Sequence, residues 1–87
     1  MQLTYTTQLL KEGTTYISYS PELDLSSCGD SSDAARRGLH EAVTLFIEEA
    51  QKMGTLERIL EEAGFRKAHD RWEAPEFIGF ERSAFAF

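Results

Sequence analysis

The organisation of this chain follows from residues 29–54, which read GDSSDAARRGLHEAVTLFIEEAQKMG. Polar turn residues open the stretch, and apolar residues then recur at helical spacing over about five turns, which predicts one long amphipathic helix. Asp30 is the predicted N-cap because its carboxylate can accept hydrogen bonds from the first free amides, and Asp33 favours the same end of the helix dipole. Gly54 is predicted to end the helix in the left-handed conformation. The predicted core stripe is Ala35, Leu39, Ala42, Val43, Phe46, Ala50 and Met53.

Before the helix, the sequence alternates in the manner of β-strands. Residues 3–9, LTYTTQL, alternate between two faces, and their Thr and Tyr content is typical of a half-buried strand. Lys11-Glu12-Gly13 supplies turn residues, so residues 14–20 are predicted to form a second strand and complete a hairpin. Pro21 ends that strand because it has no amide to donate. Residues 23–28 are the third predicted strand.

After the helix, Thr55 can cap a second, shorter helix that Gly64 ends. Residues 66–75 are expected to form a loop, apart from Trp72, which we expect to pack across a sheet edge. Residues 76–87 are rich in aromatic side chains and predict a last strand, with a bulge at Gly79 where the alternation changes phase. The order β-β-β-α-α-β predicts a single α+β domain, a two-layer sandwich with a mostly antiparallel sheet and helices on one face. The last strand should return beside the first.

Charge and composition restrict the class of partner. The 87 residues carry a net charge of −6, with three basic and six acidic side chains in residues 1–44 and six and nine in residues 45–87. Because no basic stripe is present, we expect no direct binding of nucleic acid. An acidic chain is better suited to a basic protein partner, although the same charge can serve solubility alone.

Other residue types bear on cofactors and location. Cys28 is the only cysteine, and His40 and His69 lie far apart in sequence, so we expect no metal and no cofactor. Cys28 is expected to be a small buried residue and His40 to be solvated on the polar helix face. No apolar run approaches the ~18 residues that a membrane span needs, so we expect a cytoplasmic protein with no membrane contact.

Residues 21–31, PELDLSSCGDS, resemble the HicB-like antitoxin family. Members have a hairpin, then a P-x-L segment, then Gly, an acidic residue and Ser or Thr leading into a helix of E-A-x-x-x-x-x-E-A character. Here the helix offers Asp33-Ala34 and Glu41-Ala42, the first with Asp in place of the usual Glu. Residues 55–65, TLERILEEAGF, are similar to a sub-branch of the same family. The likeness therefore covers residues 1–65 and extends loosely into residues 76–87, which we call the tail.

The resemblance implies both a fold and a function. The family core is a reduced ribonuclease-H-like fold, and typical members neutralise a small basic, HicA-like toxin that cleaves messenger RNA. Full-length members add a C-terminal DNA-binding module of helix-turn-helix or ribbon-helix-helix type. Residues after Gly64 fit neither module, so we expect a HicB-like domain over residues 1–87 without one.

Candidate chemistry is sparse. Residues 2–10 contain no acidic side chain, whereas metal-dependent cleavage on a ribonuclease-H-type fold needs clustered carboxylates that begin on the first strand, so we expect no enzyme activity. Glu22, Asp24, Asp30 and Asp33 do cluster in sequence, and caps and solvated turns account for most of them. Glu22 and Asp24 are nevertheless the candidate contacts with a basic toxin.

Phe85 and Phe87 are the candidate dimerisation residues. They lie on an apolar, uncharged segment of the last predicted strand, and unprotected edges of this kind pair with another chain. We therefore expect a homodimer or higher oligomer. Two functional hypotheses lead: an antitoxin that neutralises a toxin, and an orphan relative that self-associates in a structural or regulatory role. An enzyme or small-ligand binder is the weakest.

Overall fold

The computed structural model describes residues 1–87 and contains two small sheets and two helices. The strands are β1 (Gln2–Leu3), β2 (Gln8–Glu12), β3 (Thr15–Ser20), β4 (Leu25–Gly29), β5 (Arg66–Lys67) and β6 (Arg71–Glu73), and the helices are α1 (Ser32–Met53) and α2 (Leu56–Glu62). Strands β2, β3 and β4 form one antiparallel sheet in that order, and β1, β6 and β5 form the second. The predicted α+β class and its two-layer character are confirmed.

The first predicted strand, residues 3–9, is wrong in one respect, because it is divided into β1 and β2. Residues 4–7 connect β1 in one sheet to β2 in the other and belong to neither sheet. The Thr6 amide donates to Glu22 Oε1 at 2.9 Å instead of to a neighbouring strand. The Tyr5 hydroxyl lies 3.2 Å from His40 Nδ1 on α1. The Glu22 side chain therefore takes the place of a neighbouring strand as the partner of the Thr6 amide.

The predicted hairpin is present, with Gly13 at φ +60° in its turn. Helix α1 packs against one face of β3 and β4, and small side chains allow this close approach. Ser18 is fully buried there, and its hydroxyl donates to the carbonyl of Ala35 at 2.6 Å. A Cβ placed on Gly38 would lie 3.1 Å from the Cβ of Ser27, so Gly38 is needed where helix and strand meet.

The predicted N-cap of α1 is wrong, and its predicted C-terminal end is confirmed. Ser31, not Asp30, is the N-cap: its backbone is extended and its hydroxyl accepts from the Ala34 amide at 3.0 Å. Gly54 ends the helix at φ +70°, as predicted. Thr55 occupies the N-cap position of α2, but its side chain makes no capping hydrogen bond. Its hydroxyl instead donates to the carbonyl of Ala50 at 3.5 Å.

The loop predicted for residues 66–75 contains the short antiparallel pair β5 and β6. Strand β6 runs parallel to β1, with Trp72 paired to Leu3 in register. A strand after the helices thus returns beside the first strand, but it is Arg71–Glu73 and not residues 76–87. The core that this arrangement encloses consists of Leu23, Leu39, Val43, Leu60, Phe65 and Trp72.

Three features that were predicted to be paired or buried lie outside that core. Residues 76–87 form no strand, which corrects both the predicted last strand and the bulge at Gly79. Met53, assigned to the core stripe from its spacing, is 69% exposed at the last position of α1. Cys28 is also exposed, contrary to prediction, since it lies on the sheet face opposite α1.

Candidate partner-binding surface

The turn between β3 and β4 holds both predicted contact residues, and Glu22 is engaged within the chain. Its Oε1 accepts from the Thr6 amide at 2.9 Å and from the Ser20 hydroxyl at 3.2 Å. Its Oε2 accepts from the Thr6 hydroxyl. Because Ser20 is fully buried, this carboxylate ties the irregular segment 4–7 to the inner face of the sheet.

The ionisation of Glu22 follows from the same contacts. Partial burial raises the pKa of this carboxyl, but the hydrogen bonds from Thr6 and Ser20 lower it by more, and the net pKa lies below its ordinary value. Hydrogen bonds to a carboxylate favour its charged form. Glu22 is therefore a charged structural link with few free lone pairs for a partner.

Asp24 differs from Glu22 in environment. It is exposed, and it has a left-handed backbone at φ +52°, a conformation that Asp tolerates better than most residues. The Tyr19 hydroxyl donates to Asp24 Oδ1 at 2.9 Å. This hydrogen bond, with smaller contributions from desolvation and from the Asp24 charge, raises the pKa of Tyr19. Asp24 Oδ2 is left without a partner in the chain and faces solvent.

The side chain of Tyr19 leads onto the sheet face that α1 does not cover. Ile17 lies opposite Leu10 on β2 and opposite Cys28 on β4 in register. Directly paired residues project from the same face of a sheet, and the buried Ser18 establishes that the alternate set faces α1. The uncovered set also includes polar residues, among them Gln8 and Ser26, which pair with Tyr19. We call its less polar members, Leu10, Ile17, Tyr19 and Cys28, the open face.

Acidic residues lie at both ends of the open face. Asp24 is bonded to Tyr19 at one end, and Glu12 is two residues beyond Leu10 on the same side of β2 at the other. Most other acidic side chains are on the helices or in the tail. Two helical acids and two at β6 are paired with bases in surface ion pairs: Asp33 with Arg36, Glu57 with Lys67, and Asp70 and Glu73 with Arg71. Glu12 has no such partner in the chain.

A polar cleft lies on the α1 side of the molecule, where Arg36, Arg37 and His40 line one wall. Arg36 is bonded to Asp33 at 2.6 Å, and Glu41 lines the same cleft. These acids offset the positive charge, so the cleft is not a strong anion site. His40 is exposed as predicted, although its ring is held by Tyr5.

Phe85 and Phe87 lie together at the end of the tail, and neither has a recorded contact with Glu22 or Asp24. Their ring centroids are 6.4 Å apart, both side chains are exposed, and neither is part of a strand. The sequence did not indicate the groove between the tail and β2, which is lined in part by Leu9, Phe77 and Phe80. The aromatic content of the tail was the available signal, but it indicated a strand instead.

Three further observations concern metal ligands, membrane spans and similarity to known proteins. No three His, Cys, Asp or Glu side chains are grouped so that they could hold a metal ion. Neither helix combines the length and apolarity that a membrane crossing needs. No protein-family model, curated protein or solved structure matches this chain.

Proposed function

We propose that this protein is a HicB-like antitoxin that binds and neutralises a small basic, HicA-like toxin that cleaves messenger RNA. The observation that carries the proposal is the open face, an apolar strip with Glu12 and Asp24 at its ends on a chain of net charge −6. Apolar contacts bordered by acids fit a basic protein surface, since complementary charge speeds association and selects the partner. The sequence resemblance over residues 1–65 supplies the family.

The proposal includes the finer fold assignment and the absence of catalysis. The parallel pairing of β1 with β6 after a helical connection supports a reduced ribonuclease-H-like arrangement. Strand β1 and the segment after it carry no carboxylate from which a nuclease site could be built. In this proposal the chain acts in the cytoplasm by occluding the toxin, without a cofactor and without touching nucleic acid itself.

The proposal requires a small basic protein encoded by an adjacent gene, and the test uses that protein. Growth is measured with that protein expressed alone and together with this chain, and association of the two purified proteins is measured at low and high salt. We expect growth arrest that this chain relieves, and an association rate that falls as salt rises. A toxic neighbour that this chain neither binds nor silences would refute the proposal.

Asp24→Asn is the informative variant, because Asn tolerates a left-handed backbone and can still accept from Tyr19. Glu62→Gln removes one negative charge from an exposed position of α2 that has no partner in the chain, and it is the matched control. We expect Asp24→Asn to slow association severalfold and Glu62→Gln to have little effect. Equal association rates for the two variants would mean that the toxin does not contact Asp24. Glu22→Lys is unsuitable, since it would break the contacts with Thr6 and Ser20.

The second candidate is an orphan, self-associating protein without a toxin. The observation that favours it is the apolar tail, where Phe85 and Phe87 have no contact that covers them. Monomeric proteins rarely expose large contiguous apolar patches. Sedimentation at micromolar concentration tests this candidate, and a monomer would refute it.

A further inference from the structure

The tail concentrates exposed apolar side chains to an unusual degree. Between residues 77 and 87, Phe80 is 84% exposed, Phe85 is 85% exposed and Ile78 is 92% exposed. Phe77 and Phe87 are exposed as well. No backbone hydrogen bond outside the helices and strands involves residues 74–87, and no strand includes them. The tail thus has unpaired backbone groups together with uncovered aromatic rings.

Strand β2 also has backbone groups without a partner strand. It pairs with β3 along one side only, so its other edge is free. Leu9 and Leu10 on this strand are both exposed. Lys11 and Glu12 are confined to the end of the strand, and no proline interrupts it. An apolar edge of this kind accepts an added strand, because the main chain supplies hydrogen bonds and the side chains supply contact area.

A groove of about 460 Å³ separates the tail from β2. Phe77, Phe80 and Arg82 line one side, and residues 6–10 line the other. The chain's own tail therefore borders the edge, yet Phe80 stays almost fully exposed and no backbone hydrogen bond forms between them. This intrachain position leaves both surfaces uncovered.

We propose that the tail of a second copy pairs as an added strand with the free edge of β2, and that two copies exchange their tails reciprocally. This inference rests on the self-association candidate above and names its interface. Reciprocal exchange closes with two-fold symmetry and leaves neither β2 edge free.

The available area favours exchange in both directions. Four phenylalanines at about 150–250 Å² each amount to roughly 600–1,000 Å² per tail when fully buried. A stable interface buries about 1,200–2,000 Å² in total. That total counts both partners, so one fully buried tail and the surface that it covers fall within the range, and reciprocal exchange roughly doubles the buried area.

Disulfide trapping tests the geometry. Cys28→Ser removes the only cysteine, and Leu9→Cys with Phe80→Cys then places one thiol on each side of the groove. Oxidation with oxidised glutathione should give a covalent dimer on a non-reducing gel, at high yield. Leu45→Cys with Phe80→Cys in the same background is the control, since Leu45 is exposed on α1 and lies outside the groove. We expect no comparable dimer from it.

The outcomes separate this inference from self-association in general. A covalent monomer from the Leu9→Cys and Phe80→Cys chain would mean that the tail stays on its own β2, and no cross-link in a protein that sediments as a dimer would mean a different interface. Either result overturns tail exchange but not self-association. A full chain that sediments as a monomer overturns both. The substituted side chains are exposed, and circular dichroism of each variant checks that the fold is kept.

Discussion

Replacing Glu22 by Ala should destabilise this protein more than any other single change at an acidic residue. The carboxylate accepts from the Thr6 amide, from the Thr6 hydroxyl and from the Ser20 hydroxyl. Ser20 is fully buried, and Glu22 is the only side-chain partner of its hydroxyl. Losing hydrogen bonds to a charged group and leaving a buried hydroxyl unpaired should together cost about 2–4 kcal/mol.

Urea unfolding of the variant measures this cost directly. Glu62→Ala, on the exposed side of α2, is the control, and its free energy of unfolding should change by no more than about 0.5 kcal/mol. Thr6→Val completes a double-mutant cycle, in which the two losses should be markedly less than additive because the residues share one interaction. A Glu22→Ala midpoint as close to the parent protein as the control would refute the structural role of this carboxylate.

The pH dependence gives an independent check on the same residue. The pKa of Glu22 is lower in the folded protein than its ordinary value of 4.5. Its stabilisation is therefore fully present above pH 4.5 and is lost as the pH falls through the folded pKa. Glu22→Gln retains an acceptor oxygen but does not titrate. The stability difference between the parent and Glu22→Gln should shrink below pH 4.5, and a difference that grows there would contradict the argument.

Two other substitutions and one truncation test further features. Ser31→Ala should cost about 0.5–2 kcal/mol through the lost helix cap, and Asp30→Ala should cost much less; thermal unfolding of the pair shows whether the assignment is correct. Gly54→Ala should destabilise by about 1–2 kcal/mol because alanine is strained at φ +70°, and an unchanged melting temperature would contradict this. A chain that ends at Ser83 should dimerise at least tenfold more weakly, since Phe85 and Phe87 contribute about 1.5–3 kcal/mol each when covered. Sedimentation equilibrium measures that change.

Local signals in the sequence were sufficient for the long helix. Gly54 follows an apolar stripe of helical period, and both features favour a helix that ends at this glycine. The cap was harder to assign, because Asp30 and Ser31 are neighbours and both are good cap residues. The choice of Ser31 depends on where the chain leaves β4, which propensity does not describe.

Long-range contacts explain the errors in the strands. The alternation of residues 3–9 is real, but the hydrogen bond from Thr6 to Glu22 joins residues 16 positions apart and replaces the ladder at that point. The local sequence pattern does not indicate that Glu22 is the partner of Thr6. The aromatic residues of 76–87 have high strand propensity, yet a strand needs a neighbour, and none is bonded to the tail within the chain.

The candidate site was predictable in part for a similar reason. Glu22 and Asp24 are two residues apart, yet the first is bonded to the segment before β2 and the second to Tyr19 on the open face. Sequence proximity suggested one acidic cluster. Both acids lie in the turn between β3 and β4, where Asp24 has a left-handed backbone, and the turn places them in different environments. Only Asp24 is free to contact a partner.

Both proposed partners use the β2–β3–β4 sheet, and the two surfaces share Leu10 but otherwise differ. A toxin would lie on the open face between Glu12 and Asp24, whereas a second copy would add a strand at the β2 edge. Only 10 of the 87 residues are buried, and one helical layer covers one face, so apolar surface remains for both contacts. An added strand widens a sheet at its edge without covering its faces. A tail-exchanged dimer should therefore bind two toxin molecules, and native mass spectrometry of the complex measures the ratio. A complex of one dimer with a single toxin at saturation would mean that the exchanged tail blocks the open face.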